Sequence, residues 1–183
     1  MAAGWMPYQA KWEALRDRIH AEVCEKGFDV ESNAFVQFYG SKHLDSSLLM
    51  MALVGFLPAD DARVVGTVAA IEKNLMSPEG FVARYTTDPS VDGLPHGEAT
   101  FLPCTFWMAD NYVLQGRRPD ALRIFERLLG VRNDVGLLSE EYDPDRKRQL
   151  GNFPQAFSHV ALVNTISNLQ KRTNRTRPRS GRR

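Results

Sequence analysis

The sequence predicts an all-α protein in which strongly apolar helices alternate with amphipathic ones. In several segments apolar residues recur every three or four positions, which is the spacing of one face of an α-helix. Other segments, such as "SSLLMMALVGFL", are apolar on all sides and are typical of buried helices. Strands and helices do not alternate, and there is no strict internal repeat. The 183 residues have the length of one domain with a sizeable core.

The first predicted helix spans residues 8–26. Apolar side chains at helical spacing support it, and Gly27 ends it. These apolar positions are Trp12, Leu15, Ile19 and Val23. Residues 28–40 are aromatic and β-branched near their end, so they predict an extended loop or a short strand.

Two further helices are predicted before residue 76. Residues 46–57, capped by Asp45 or Ser46, predict a deeply buried helix that ends at Pro58. Residues 59–75 begin with aspartates suited to an N-cap and predict an amphipathic helix. Its expected inward face carries Val64, Val68, Ile71 and Leu75.

The C-terminal part of the chain predicts three helices, at residues 101–116, 119–131 and 154–171. The first is apolar on all sides, and Pro119 suits the first turn of the second. Long connections follow Gly27, Leu75 and Val131. Long loops in a compact helical domain usually carry function, so we expect any chemistry to lie in them.

Composition and charge restrict the classes of partner. The net charge of +1 suggests neither nucleic acid nor a membrane surface, although residues 171–183 hold seven Lys or Arg and no acid. We expect that segment to be a disordered basic tail, with nucleic-acid contact through it the less favoured alternative. No signal peptide or apolar run long enough to span a membrane is visible, and the two cysteines have no metal-type spacing, so a cytoplasmic protein is expected.

Three loops concentrate polar and aromatic side chains of the kind that bind sugars. Aromatic rings stack on pyranose faces, while carboxylates and guanidinium groups hydrogen-bond to hydroxyls. From composition alone, ordinary surface charge is the simpler reading. The side chains are Gln37, Tyr39, His43 and Asp45 in the first loop; Arg84, Tyr85, Asp88, Asp92, His96 and Glu98 in the second; and Glu140, Glu141, Tyr142, Asp143 and Asn152 in the third.

The histidines indicate no metal or cofactor. No two of them share a helix-face spacing, and the chain has no glycine-rich phosphate loop. His20 is expected to be solvated, His43 and His96 to be surface groups, and His159 to be a hydrogen-bonded histidine of the core.

Four motifs in order along the chain, "LVGFLPADDARV", "FLPCTFWMAD", "GLLSEEYDP" and "RQLGNFPQAFSHVALVNT", carry a resemblance to a known family. They resemble the C-terminal part of glycoside hydrolase family 15, the glucoamylase-like enzymes that include glucodextranases and bacterial trehalases. The similarity runs from about Trp12 to Leu169. It implies an (α/α)6 toroid of alternating inner and outer helices around a central pocket, with residues 1–170 as the C-terminal half of the catalytic domain.

The resemblance implies roles for individual residues. "SEEY" resembles the general-base motif, so Glu140 matches the base and Glu141 falls where fungal members carry an amide. "ARYTTD" resembles the segment whose arginine, here Arg84, holds sugar hydroxyls. "HGEATFLPCTFW" resembles the lip of the pocket and suggests Glu98 and Trp107 as lining groups. Tyr39 and Tyr142 join them as candidate substrate-binding aromatics, and Asp45 is either a helix cap or a sugar contact.

The family inverts configuration at the anomeric carbon, which requires a general acid as well as a base. In relatives the acid belongs to a Trp-Glu motif in the first half of the catalytic domain. Trp12-Glu13 is the Trp-Glu pair of this chain, but it falls inside a predicted helix and downstream of the family's true acid. The resemblance therefore implies a C-terminal segment that lacks the acid and is inactive alone.

Two functional classes remain open on the sequence. The first is an α-glucoside hydrolase acting on a glucan or trehalose, in which the missing N-terminal half belongs to the same enzyme or to a separate chain. The second is a non-catalytic helical protein that binds sugars or partners. Neither requires a metal or a cofactor.

Overall fold

The computed structural model describes residues 6–86 and 99–170. The described residues form two compact units. The first unit comprises residues 6–76 and 83–86, and the second comprises residues 77–82 and 99–170. The predicted basic tail lies outside the described residues.

The described chain is rich in helix. The helices are α1 (Met6–Lys26), α2 (Met50–Leu53), α3 (Ala62–Leu75), α4 (Leu102–Leu114), α5 (Arg118–Gly130) and α6 (Ala156–Gln170), and a 3-10 turn at Ser46–Leu49 precedes α2. The strands are β1 (Phe28–Asp29), β2 (Ala34–Phe35), β3 (Thr100–Phe101), β4 (Glu141–Asp143) and β5 (Arg148–Leu150).

Helix α3 forms the core of the first unit, as its periodicity predicts. Asp61 caps the helix by accepting a hydrogen bond from the Arg63 N–H at 2.9 Å. All four predicted inward residues are buried: Val64, Val68, Ile71 and Leu75. The helix packs against β2, where the Phe35 N–H donates to Thr67 Oγ1 at 2.9 Å.

The predicted buried helix at residues 46–57 is wrong in length and only partly right in depth, since Ser46, Leu49 and Leu57 are buried. Only a 3-10 turn and the four-residue α2 form, and the four residues of α2 are half-buried rather than buried. Val54 is exposed at 69%. An apolar segment is buried only where other elements cover it, and α2 contacts mainly the preceding 3-10 turn.

Helix α1 forms over the predicted residues, but its predicted inward face is not buried. Trp12 and Ile19 are exposed, and Leu15 and Val23 are half-buried. The prediction that His20 is solvated is also wrong. His20 Nε2 lies 3.1 Å from the Phe56 carbonyl oxygen, and the two rings are 4.6 Å apart.

The core of the second unit is α4. Every residue from Leu102 to Val113 is buried, as expected of a helix that is apolar on all sides. Helices α5 and α6 pack against it. Helix α5 begins with Pro119 in its first turn, as predicted, and buries Ala121, Ile124 and Leu128. Helix α6 begins at Ala156, two residues later than predicted.

Two small antiparallel sheets depart from a purely helical architecture. Strands β1 and β2 pair within the segment where a short strand was one expectation. Strands β3, β4 and β5 form a second sheet in that order, with Phe101 opposite Glu141 and Glu141 opposite Leu150. The third candidate loop is therefore an ordered β-hairpin joined to the strand that leads into α4.

Among residues 6–86 and 99–170, no helix is both long and apolar enough to cross a membrane. In the same described ranges, no three His, Cys, Asp or Glu side chains cluster in a way that could hold a metal ion. Cys24 and Cys104 are not joined by a disulfide.

Candidate active site

Glu140 is held at the base of the β4–β5 hairpin by both its backbone and its side chain. Its N–H donates to the Asn152 carbonyl oxygen at 2.9 Å, and its carbonyl oxygen accepts from the Leu102 N–H at 3.1 Å. Its carboxylate oxygen Oε2 accepts from the Asn152 N–H at 3.1 Å. These contacts fix one carboxylate oxygen of a half-buried glutamate between the hairpin and the start of α4.

Gly151 makes this arrangement of Glu140 sterically feasible. Its φ of +74° lies in the left-handed region that favours glycine. A Cβ at this position would lie 3.0 Å from both Glu140 Cβ and Glu140 Oε2. A side chain at position 151 would therefore displace the Glu140 carboxylate as well as strain the backbone.

The backbone preceding Glu140 is fastened to α6. Ser158 Oγ donates to the Ser139 carbonyl oxygen at 2.7 Å. The Leu138 N–H donates to His159 Nε2 at 3.3 Å, so Nε2 carries no proton. The proton is then on Nδ1, which donates to the Gln155 carbonyl oxygen at 2.7 Å. His159 is a hydrogen-bonded histidine, as predicted, but it is half-buried rather than part of the core.

The neighbours of Glu140 in β4 have separate environments. Glu141 is the strand residue opposite Phe101 and Leu150. Tyr142 is half-buried and packs on Phe81 with ring centroids 5.2 Å apart. Because side chains alternate along a strand, Glu141 and Tyr142 point to opposite faces of this small sheet.

Asp143, another candidate of this loop, is a turn residue. Its Oδ1 accepts from the backbone N–H groups of Asp145 and Arg146, both at 3.0 Å, and its Oδ2 accepts from the Arg146 guanidinium at 2.9 Å. The hydrogen bonds from Arg146 hold the pKa of Asp143 below its ordinary value. These contacts shape the tip of the hairpin.

Trp107 lies in an aromatic cluster at the start of α4. Its ring is 6.4 Å from Phe101 and 5.8 Å from Phe157, in edge-on geometry in both cases. Only 7% of Trp107 is exposed, whereas Phe157 is exposed at 47%. Within the second unit the strand β3 links this cluster to the Glu140 hairpin, because Phe101 pairs with Glu141.

Arg84 and Asp45 meet in the first unit, although 39 positions separate them. Arg84 Nε donates to Asp45 Oδ1 at 2.7 Å. The same oxygen accepts from the Ser47 N–H at 2.7 Å and caps the 3-10 turn, so the capping role expected of Asp45 is confirmed. The Ser46 N–H also donates to the Arg84 carbonyl oxygen at 2.7 Å. Asp45 is buried, while 43% of the Arg84 side chain is exposed.

The remaining candidates are one exposed tyrosine, one helical glutamate and four residues that the structure does not describe. Tyr39 is exposed in the first unit, next to Gly40 with its φ of +79°. Glu98, Asp88, Asp92 and His96 lie outside the described residues. Glu13 lies inside α1, as predicted. Its side chain is exposed and accepts a hydrogen bond from Gln9 Nε2 at 3.2 Å.

Sequence reasoning missed two residues that build the site, Gly151 and Phe157. Asn152 was a candidate, but its contact with Glu140 is made by its backbone rather than its side chain. The Gly-Asn pair that follows β5 is a turn signal that could have located Gly151. No local pattern marks Phe157 as the partner of Trp107.

Comparison of the sequence with models of known protein families identifies the family of this chain. Residues 4–167 match the model of the family described as Glycosyl hydrolases family 15. The chain belongs to this family, and the resemblance of its motifs is thereby confirmed.

Individual relatives agree with the family. The chain is 42% identical over 161 residues to a trehalase of Thermoplasma volcanium, a match that covers 88% of this chain and 25% of the relative. It is 43% identical over 163 residues to a trehalase of Mycobacterium tuberculosis, covering 89% of this chain and 24% of the relative. The chain thus spans about a quarter of the length of these curated relatives.

Solved structures show the same fold. A wild-type glycosidase superposes with a TM-score of 0.73 at 22% identity, covering 92% of this chain and 46% of that chain. A variant of a glycosidase in complex with glucose gives the same values. This chain therefore shares the fold of part of those chains.

Proposed function

We propose that this chain is the base-bearing part of an inverting α-glucoside hydrolase, with trehalose as the substrate. Family membership and the identity of more than 40% to trehalases support the substrate class. The observation that carries the assignment of the base is the Glu140 carboxylate, held by the Asn152 N–H beside a glycine whose replacement would displace it.

The proposed role of Glu140 is to take a proton from the attacking water. Inversion places the base and the acid on opposite sides of the sugar, roughly 6.5–9.5 Å apart, with the water next to the base. The Asn152 N–H engages Oε2, and Oε1 has no hydrogen-bond partner among residues 6–86 and 99–170. Oε1 is then the oxygen that receives the proton, while Oε2 keeps the carboxylate in one orientation.

Glu141 is proposed to have no part in proton transfer. It lies in β4 opposite Phe101 and Leu150, whereas Glu140 precedes the strand and has its carboxylate held by the Asn152 N–H. This difference makes Glu141 a matched control for Glu140.

We further propose that residues 1–170 form the C-terminal half of an (α/α)6 toroid. The fully buried α4 suits an inner helix, and α5, with one buried face, suits an outer helix. The match to less than half of a solved glycosidase chain is in keeping with a half-domain. The general acid is then supplied by a part of the enzyme, or by a separate chain, that corresponds to the first half of the toroid.

Substrate binding is assigned to Arg84, Glu98, Trp107, Tyr39 and Tyr142. The Arg84 side chain is restrained by Asp45 and remains partly exposed, which suits an arginine that holds sugar hydroxyls. The exposed ring of Tyr39 can stack on a pyranose. Trp107 is covered by other rings, so it supports the exposed Phe157 and offers at most an edge to a ligand.

A chimera tests the proposal. This chain replaces the corresponding quarter of the Thermoplasma volcanium trehalase, which supplies the remaining part of the enzyme. We expect the chimera to release glucose from trehalose and the isolated chain to release none. Loss of one proton-transfer group lowers turnover by about 100- to 10,000-fold, so Glu140→Gln is expected to lose that much while Glu141→Gln stays within about tenfold.

Product stereochemistry completes the test. Inversion at one anomeric carbon of trehalose releases β-glucose from that side and α-glucose from the other, and NMR during the first turnovers distinguishes the two. A folded chimera without activity, an active Glu140→Gln chimera, or release of α-glucose alone would each refute the proposal.

A further inference from the structure

Helix α6 packs against α4 with one side and leaves apolar side chains exposed on the rest of its surface. Its buried residues are Ser158, Ala161, Thr165 and Leu169. Four further apolar residues are exposed by 36% to 59%: Phe157, Val160, Val163 and Ile166. Each lies three positions from the next, so consecutive members are neighbours on the helix surface. We call these four residues the α6 strip.

The α6 strip lies on a helix without a charged residue. None of the fifteen residues of α6 is Asp, Glu, Lys or Arg. In α5 five of thirteen residues are charged, and Arg118, Arg123 and Glu126 are exposed. Helix α4 has one charged residue and is buried along almost its whole length. A helix with one side in water normally carries charges on that side, so α6 has the composition of a helix that a further element covers.

The basic segment at residues 171–183 does not suit this covering role. It contains no Val, Ile, Leu, Met, Phe, Tyr or Trp, so it brings no large apolar side chain to the strip. The relatives offer a better candidate. The chain matches 25% of the Thermoplasma volcanium trehalase and 46% of the solved glycosidase chain, so in both proteins a longer chain is present that can supply further helices.

The α6 strip begins beside the hairpin that carries Glu140. The Phe157 ring lies 5.8 Å from the ring of Phe101, and Phe101 pairs with Glu141. A partner that covers the strip therefore also lies next to the hairpin. The proposed reaction requires a general acid from outside this chain, and a partner in this place is well situated to bring one.

We propose that the α6 strip is the docking surface for the N-terminal part of a family 15 hydrolase, present in the same enzyme or as a separate chain. This inference rests on the proposed function, which requires that part to supply the acid. The surface that docks is an apolar helix face, because the strip offers no charge to pair. Asn164 and Ser167, which are exposed on the same helix, are small and uncharged and allow a second helix to approach closely.

The accessibility of position 163 tests the docking directly. Val163→Cys is made in the isolated chain and in the trehalase chimera, and mass spectrometry follows maleimide labelling at this residue. We expect labelling to be at least about tenfold slower in the chimera, where the strip is covered. Val135→Cys is the control, since Val135 is 70% exposed outside the strip and should be labelled at similar rates in both proteins.

Two outcomes of the labelling experiment would overturn the proposal. Equal rates for Val163→Cys in the isolated chain and in the chimera would show that no part of the trehalase covers the strip. Slow labelling of the isolated chain that becomes faster on dilution would show that a second copy of this chain is the occupant.

A stability measurement tests the same surface independently. Val160→Asp with Val163→Asp places two carboxylates on the strip. The Tm of the isolated chain should change little, whereas that of the chimera should fall by at least about 5 °C, because a covered and unpaired charge is costly. An unchanged Tm in the chimera would contradict the docking.

Neither measurement depends on hydrolysis, so the inference and the proposed function can fail separately. Protection of position 163 in a chimera that releases no glucose would contradict the proposed function alone. Full labelling of position 163 in a chimera that hydrolyses trehalose would contradict the docking alone.

Discussion

Helix α4 of the second unit and residues 46–57 of the first are similarly apolar but differ in burial. In α4 twelve consecutive residues are buried, since α5 and α6 both pack against it. In the other segment only a 3-10 turn and a four-residue helix form, and the side chains of α2 are half-buried. Apolar composition thus sets a preference for burial, but the number of covering elements decides whether it is realised.

The comparison carries over to stability. Side chains of α4 contribute their full burial to the free energy of unfolding of this chain, whereas those of α2 contribute only part. The four predictions that follow test this contrast and related contrasts between the units, from the largest expected effect to the smallest.

The first prediction compares the same substitution in the two segments. Met108→Ala in α4 removes a fully buried side chain and should lower the free energy of unfolding by about 2–5 kcal/mol. Met51→Ala in α2 removes a half-buried side chain and should cost less than about 1.5 kcal/mol. Urea denaturation of both variants measures the difference, and equal losses would show that α2 is as well covered as α4.

The second prediction compares two helical glycines. A Cβ on Gly66 in α3 would lie 2.2 Å from the Asn33 carbonyl oxygen, so Gly66→Ala should destabilise the first unit by about 1–3 kcal/mol. A Cβ on Gly130 in α5 meets nothing within 4 Å. Gly130→Ala should therefore stabilise the protein by up to about 1 kcal/mol, since alanine favours helix. Thermal unfolding should show a lower Tm for Gly66→Ala and a higher Tm for Gly130→Ala than for wild type. A Gly66→Ala variant as stable as wild type would contradict the prediction.

The third prediction concerns two glycines with positive φ in the second unit. Gly151 and Gly136 have φ of +74° and +85°, so alanine at either should cost about 1–2 kcal/mol in backbone strain. Only Gly151→Ala also places a Cβ 3.0 Å from Glu140. In the trehalase chimera we expect Gly151→Ala to lower kcat and Gly136→Ala to leave it unchanged. Equal kcat values in the two variants would argue that the position of Glu140 does not depend on residue 151.

The fourth prediction is a pH effect in the first unit. Hydrogen bonds from Arg63 lower the pKa of Asp61 from 3.8 to about 2. Asp61 therefore stabilises the folded state fully above pH about 4, and this contribution is lost as the pH falls toward 2. Both side chains are partly exposed to solvent, so we expect about 1 kcal/mol.

The control for that prediction is Asp61→Asn, which keeps an oxygen to accept the Arg63 N–H but has no charge to titrate. The stability difference between wild type and this variant should be present at pH 7 and shrink toward pH 2. A difference independent of pH would show that the ion pair contributes nothing and that only the cap matters.

The sequence predicted those parts of the fold that depend on local periodicity. The inward face of α3 and the caps at Asp45 and Asp61 follow from spacing and from side chains that compete for free backbone N–H groups. The exposure of α1 and the partial burial of α2 did not follow, because burial depends on elements that lie far along the chain.

In the candidate site, too, the sequence predicted residues of local motifs but not contacts between distant residues. The resemblance located Glu140 and Arg84, whose sequence motifs are local. The Asn152 contact, the pairing of Phe101 with Glu141 and the Arg84–Asp45 ion pair depend on strand register or on separations of 12 to 40 positions. Strands of two or three residues leave too short an alternation to be recognised in a sequence.

The outward face of α6 has a consequence for how variation in this family is interpreted. Val160 and Val163 are exposed at 54% and 59%, so exchanging either for a polar residue costs this chain little stability. Natural selection on the folding of the segment alone would let these positions drift. If homologues retain apolar residues there, the retained residues indicate a constraint imposed from outside the segment, such as contact with another part of the enzyme.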